Sequence, residues 1–208
     1  MAPYVKSLLA LGETLNREGI TWAWSCEYSS HVSDAREFTL SGTNQNIISE
    51  TRPFHGDLTY DKLMWIDSDI KFNPEDVLKL YRSDKEIISG CYLLASGEVV
   101  AYPKLLNAPY TIYEVQKLSG VVEIEAAGFG FICISKGIFE QMSRPWFQQV
   151  IMEKKDSETG EVFRFPLLGE DLSWCERARR LGYKLWLDTD VKVIHHKTMK
   201  LTWEGIKI

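Results

Sequence analysis

Between Lys62 and Tyr81 the chain reads KLMWIDSDIKFNPEDVLKLY, and this stretch constrains the fold more than any other. Leu63, Met64, Trp65 and Ile66 form a short continuous apolar run, the pattern of a strand covered on both faces, which predicts a place in the middle of a sheet. Asp67 and Asp69 follow at once. Then come Asn73, suited to a helix N-cap, and Pro74, suited to the first helical position. Glu75 and Asp76 complement the positive end of the helix dipole before the apolar Val77, Leu78 and Tyr81.

The same strand-then-helix order recurs along the chain. Val5 to Glu18 carries leucines at helical spacing and stops at Gly19, a suitable C-terminal cap. ITWAWSC, residues 20–26, predicts a strand, and Ser33 to Leu40 a helix. EIISGCYLLA predicts another strand, and TIYEVQKLSGVVEIEA a hairpin turning at Ser119 and Gly120. Phe131 to Ile134 reads as a strand followed by a helix over Lys136 to Met142. The polar, glycine-containing MEKKDSETGEV reads as a mobile loop or hairpin tip. Leu172, Cys175, Ala178 and Leu181 mark a helix ending at Gly182, and Tyr183 to Asp188 and Val191 to His195 are strand-like. The pattern predicts an α/β fold with a mixed, mainly parallel sheet, flanking helices and an inserted antiparallel hairpin.

The 208 residues contain no linker, repeat or low-complexity tract, which predicts a single domain over 1–208. A net charge of −5 argues against a general electrostatic grip on nucleic acid or an anionic membrane. Cys26, Cys91, Cys133 and Cys175 form no CxxC pair and read as buried free thiols of a reducing compartment. With no signal-peptide pattern and no apolar run of membrane-spanning length, a cytoplasmic location is expected.

Four constellations carry chemistry. Asp67 and Asp69 at a strand end would repel each other and resist burial unless a cation joined them. Ligands of open α/β sheets bind at the carboxyl ends of the strands. Oxygen ligands favour Mg²⁺ or Mn²⁺ there, whereas the bland alternative is a solvated strand end with a turn. Glu170 and Asp171 open a helix, where one could be a cap or a general base. In DVKVIHHK, strand alternation puts His195 on the face of Val191 and Val193 and His196 on the other; an imidazole beside two carboxylates favours Mn²⁺. Gly128 and Gly130, in AAGFGF, let backbone approach a ligand closely or simply permit a tight bend.

In their order, MWIDSDIKF, AGFGFICISKGIFEQM and GEDLSWCERARRLGYKLWLDTDVKVIHH resemble the metal-dependent glycosyltransferases of the A-type (GT-A, Rossmann-like) fold, with SDAREF similar to the helix start that brings an arginine to the donor. The resemblance implies transfer of a sugar from a nucleotide-sugar donor, such as a UDP- or GDP-sugar, to a hydroxyl of a carbohydrate or other acceptor. It implies Asp67, Asp69 and His195 as ligands of Mn²⁺ or Mg²⁺, and Arg36, Asp67, Ser68 and Asp69 as the donor-binding set. It implies Asp171 as catalytic base with Glu170 beside it, and Gly128, Phe129, Gly130 and Trp146 on the acceptor side. Members of the family normally open with a strand that holds the base. Here only MAPY precedes the first helix, so a domain lacking that strand is expected. The alternative carried alongside is a catalytically silent nucleotide-sugar or carbohydrate-binding module. A phosphohydrolase of the haloacid-dehalogenase type is disfavoured by Lys71, where a threonine or valine is expected, and a nucleotidyltransferase by the lack of a glycine-rich basic loop.

Overall fold

The computed structural model describes residues 2–41, 49–155, 158–165, 168–197, 200–202 and 205–207. In chain order the first elements are α1 (Ala2–Arg17), α2 (Val32–Ser41), β1 (Lys62–Ile66), β2 (Ile70–Lys71), α3 (Pro74–Arg82), β3 (Ile87–Cys91), β4 (Ala101–Tyr102), α4 (Ile112–Val115) and β5 (Val121–Ile124). They are followed by β6 (Ala126–Ala127), β7 (Phe131–Ser135), β8 (Met152–Lys155), β9 (Val162–Phe165), α5 (Glu170–Arg180), β10 (Leu185–Lys192), β11 (Ile194–His195), β12 (Lys200–Thr202) and β13 (Gly205–Lys207). These fall into two compact units. The first comprises Met1–Ala23, Lys62–Ser135 and Lys184–Ile208, and the second Trp24–Asp61 and Lys136–Tyr183.

The first unit is built on a five-stranded sheet in the order β1-β7-β3-β10-β5. β1, β3 and β10 share one direction, but only β3 and β10 are neighbours, because β7 lies antiparallel between β1 and β3, and β5 runs antiparallel to β10. The fold is therefore mixed α/β, and the expected mainly parallel sheet is corrected: three of its four pairings are antiparallel. The expectation for β1 also changes. It is an edge strand whose five residues are all half-buried, while β3 is fully buried. Four consecutive apolar residues here mark a partly covered edge, because an apolar run reports coverage of both faces and not the number of hydrogen-bonded neighbours.

Helices α1 and α3 pack on the sheet through one apolar cluster. Leu11 and Leu15 come from α1, and Val77, Leu78 and Leu80 from α3; they meet Ile88, Phe131 and Cys133 of the sheet. The α3 start forms as its sequence dictates: Asn73 and Asp76 make a reciprocal capping box, with the Asn73 N–H donating to the Asp76 carboxylate at 2.9 Å. Ser7 of α1 reaches the backbone of Phe72 with both hydrogen-bonding capacities, donating to its carbonyl at 2.6 Å and accepting its N–H at 3.1 Å.

Three further predicted elements differ. Residues 20–26 form no strand. Trp22 instead folds back onto α1, where its indole N–H donates to Asn16 at 3.1 Å, and a Cβ on Gly12 would fall 2.8 Å from its ring. The hairpin around Ser119 and Gly120 is replaced by the single helical turn α4 and by β5, whose sheet partner is β10. Thr111 and Glu114 form the capping box of that turn, and the TIYE spacing that signals it is plain in the sequence.

The second unit holds α2, α5, the β8–β9 hairpin and two 3₁₀ turns, Pro53–Gly56 and Phe139–Gln141. The polar MEKKDSETGEV stretch is thus the hairpin, apart from residues 156 and 157, which lie outside the described residues. The helix expected over Lys136 to Met142 contracts to the three-residue turn. Its Phe139 centres an aromatic core with Trp146, Phe147 and Trp174. Cys91, Cys133 and Cys175 are buried, as their surroundings suggest, and burial pushes the Cys133 thiol up to about 12; Cys26, in contrast, is exposed. Among the described residues no helix is long and apolar enough to cross a membrane.

Candidate functional site

In the first unit, β1 ends at Ile66 and the next four residues make a turn. The Asp67 N–H donates to the Gly130 carbonyl at 3.0 Å, and the Ile70 N–H returns to the Asp67 carbonyl at 3.0 Å. The chain then pairs as β2 with β11, placing Ile70 opposite His195. Two backbone ties fix Asp69 beside that strand, since the His196 N–H also donates to the Asp69 carbonyl at 2.8 Å.

The side chains meet across this seam. His195 Nε2 lies 3.0 Å from Asp69 Oδ2, and Lys197 Nζ donates to the same oxygen at 3.0 Å. His195 Nδ1 is 2.7 Å from the Leu93 carbonyl, which can only accept, so Nδ1 carries a proton. In a neutral imidazole Nε2 then presents its lone pair to the carboxylate. That arrangement is favourable only if the ring is protonated or a cation stands between them. A carbonyl behind a histidine is also the usual way of orienting a metal-binding imidazole. Burial pushes the Asp69 carboxyl up, but the Lys197 hydrogen bond and the His195 and Lys197 charges outweigh it and hold it below the ordinary aspartate value.

Among the described residues no group of three or more His, Cys, Asp or Glu is arranged to hold a metal ion. The expected three-ligand set of Asp67, Asp69 and His195 is not assembled: the turn carries Asp69 to β11, where it meets His195, while Asp67 stays at the end of β1 with its N–H on the Gly130 carbonyl. Ser68 lies exposed at the turn's tip. Lys197 was not singled out in the sequence, although its place two residues after His195 puts it on the same side of an extended chain.

The acceptor-side expectations take a different form. Phe129 is fully buried and packs edge-on against Trp65, with ring centroids 5.7 Å apart. Trp146, in the second unit, is fully buried and donates its indole N–H to the Phe139 carbonyl at 3.0 Å. Both are core residues, not sugar platforms. Gly128 and Gly130 have no positive φ, and the space that side chains there would need belongs to Tyr92 rather than to a ligand.

The second unit holds the other carboxylates. Gly169 precedes α5 with extended backbone, which leaves Glu170 and Asp171 in the first helical turn. Arg36 of α2 binds Glu170 through Nη1 at 2.6 Å. Asp171 turns back to accept the Leu172 N–H at 2.8 Å, and burial pushes its carboxyl up against the opposing pull of Arg36, with the Glu170 charge adding to the rise. A carboxyl raised in the folded state resists ionisation as pH climbs above the ordinary aspartate value, so folding loses stability over that interval. Asp171→Asn is therefore expected to gain on the native chain in melting temperature as pH rises from the ordinary aspartate range towards neutrality. Parallel melting curves across that range would show instead that Asp171 contributes no pH dependence.

No family model matches the chain, and no curated protein matches it in sequence. Among solved structures it is similar to A197 from STIV, a viral protein, with 18% identity and a TM-score of 0.54, covering 95% of this chain and 84% of that one. At that identity the likeness speaks for the fold alone. The sequence resemblance to the glycosyltransferase family is corrected accordingly: neither a matching family nor, among the described residues, a three-ligand metal centre places the chain in it.

Proposed function

We propose that the chain transfers a sugar from a nucleoside diphosphate donor, a UDP- or GDP-sugar, to a hydroxyl of a carbohydrate or other acceptor, with Asp69 and His195 holding a divalent cation. The observation that carries this reading is the placement of the His195 imidazole, with Nδ1 2.7 Å from the Leu93 carbonyl and Nε2 3.0 Å from the Asp69 carboxylate. Two protein ligands fit Mn²⁺ or Mg²⁺, which keep several positions for water and substrate phosphates, and the imidazole tilts the choice towards Mn²⁺. Bound there, the cation would neutralise charge gathering on the diphosphate as the sugar departs. Lys197 adds a positive charge at the same carboxylate, suited to a phosphate oxygen. Asp67 and Ser68, at the turn beside it, are assigned to the donor.

Asp171 is assigned the removal of the acceptor's proton, supported by its raised pKa, which makes it a stronger base than an ordinary aspartate. Glu170 is held by Arg36 and is assigned to orientation. A second reading, a silent nucleotide-sugar or carbohydrate-binding module, is favoured by one observation, the absence of a three-ligand metal cluster among the described residues.

Calorimetric titration of Mn²⁺ with UDP- and GDP-sugars tests the cation role. Asp69→Asn is expected to weaken Mn²⁺ binding by more than about 100-fold, beyond the loss that outer-shell partners cause. Identical titrations of the native chain and the variant would remove Asp69 from the site. Slow release of nucleoside diphosphate from the donor with Mn²⁺ present supports transfer; binding without any such release selects the silent module.

A further inference from the structure

We infer that Tyr92 is a positioning residue of the Asp69–His195 pair, and that Gly128 and Gly130 serve to seat it. The inference rests on the proposed cation site and adds the device that aims its imidazole. Tyr92 follows β3 directly and is buried. Its hydroxyl accepts the Gly130 N–H at 3.0 Å, and its ring stands nearly perpendicular to the His195 ring, 85° between planes, with centroids 5.4 Å apart.

The glycines are required by this seat and not by their own dihedral angles. A Cβ on Gly128 would collide with the Tyr92 hydroxyl and come within 2.6 Å of Val100 Cγ1. A Cβ on Gly130 would lie 2.7 Å from Tyr92 Cζ. The close backbone approach that the AAGFGF segment permits is therefore made to a tyrosine of the same chain.

Residues 92 and 93 then act together on one imidazole. The pairing of β2 with β11 fixes where the His195 backbone lies, but leaves two side-chain torsions open. The Tyr92 ring closes one side of the imidazole and the Leu93 carbonyl takes Nδ1–H, so Nε2 is left pointing at Asp69. Edge-to-face ring contact of this kind favours one rotamer over its competitors. Truncating Tyr92 frees the ring while leaving both members of the pair in the chain.

Two readouts test this on the full chain. The first is the exchange-protected Nδ1–H proton resonance of His195, read by NMR without metal and assigned through its absence in His195→Gln. The second is Mn²⁺ affinity, read by electron paramagnetic resonance. Tyr92→Leu is expected to lose the resonance and to bind Mn²⁺ about 10–100-fold more weakly, the range found for outer-shell partners. Tyr92→Phe, which keeps the ring, is expected to retain the resonance and to stay within a few-fold of native affinity. Should Tyr92→Leu not fold, Tyr92→Met, whose flexible chain fills the volume, takes its place. A resonance that persists in Tyr92→Leu or Tyr92→Met overturns the positioning role. A native chain that shows the resonance but binds no Mn²⁺ overturns the cation reading and leaves the positioning role standing.

Discussion

Glu37→Ala is expected to destabilise the protein by about 3–5 kcal/mol, read from urea unfolding, because it removes the carboxylate from a buried ion pair. Glu37 lies on α2 and is nearly inaccessible. One carboxylate oxygen accepts Arg144 Nε at 2.8 Å and the other accepts the Trp146 backbone N–H at 2.8 Å. The Arg144 side chain is only 4% exposed and also lies over the Trp146 ring, 4.7 Å from its centre. Alanine would leave both a guanidinium charge and a peptide N–H without this acceptor in a site where water is excluded. Glu37→Gln keeps two polar atoms in place and is expected to cost clearly less, since an amide oxygen can still accept from one donor. Hydrogen exchange localises the effect: amides of α2 and of the 143–147 segment should lose protection first. Equal losses for the two substitutions would mean that the lost charge accounts for the whole effect and that the volume and the oxygen retained by glutamine count for nothing.

Phe131→Ala is expected to cost about 3–5 kcal/mol by opening a cavity in the sheet of the first unit. Phe131 begins β7, the strand that pairs with both β1 and β3, and it is fully buried. Its ring packs against Phe72 with centroids 5.6 Å apart, and a Cβ on Gly90 would lie 3.0 Å from it, so little could move in to fill the space. Its carbonyl meanwhile accepts the Ser89 hydroxyl at 3.1 Å, which a side-chain truncation leaves intact. Phe131→Leu is expected to cost less than half as much, because most of the volume remains. A loss below about 1 kcal/mol for the alanine variant would show that the neighbouring side chains collapse into the hole.

The parts of the fold that were legible in the sequence are those set by local chemistry. Asn73, Pro74 and Asp76 announce the start of α3, and Gly182 marks the end of α5 with a φ of +94°. Strand alternation separates His195, on the face of Val191 and Val193, from His196 on the other, and it is His195 that meets Asp69. What failed was whatever depended on partners distant in sequence. The order of strands could not be read from Leu63 to Ile66, since an edge strand and an interior one can carry the same apolar run. Trp22 and Trp24 have strand propensity, yet Trp22 is claimed by the space above Gly12 on α1. The aromatic residues Phe129 and Trp146 looked equally suited to a sugar and to a core, and only their full burial decides. The Thr111–Glu114 capping box is a local helix signal that the hairpin expectation turning at Ser119 and Gly120 leaves out.

Strand β10 is the last of the five sheet strands to leave the ribosome, yet its place is between β3 and β5. Before residues 185–192 emerge, β1, β7 and β3 can assemble, whereas β5 has no sheet neighbour to join. A nascent chain therefore carries an open β3 edge of fully buried type, Ile87–Cys91, from the completion of β7 at Ser135 until Leu185 is made about fifty residues later, several seconds at about 5–20 residues per second. The sticky interval closes only when residues 185–192 slot in, so slower translation over residues 136–184 is expected to raise the share of protein lost to aggregation.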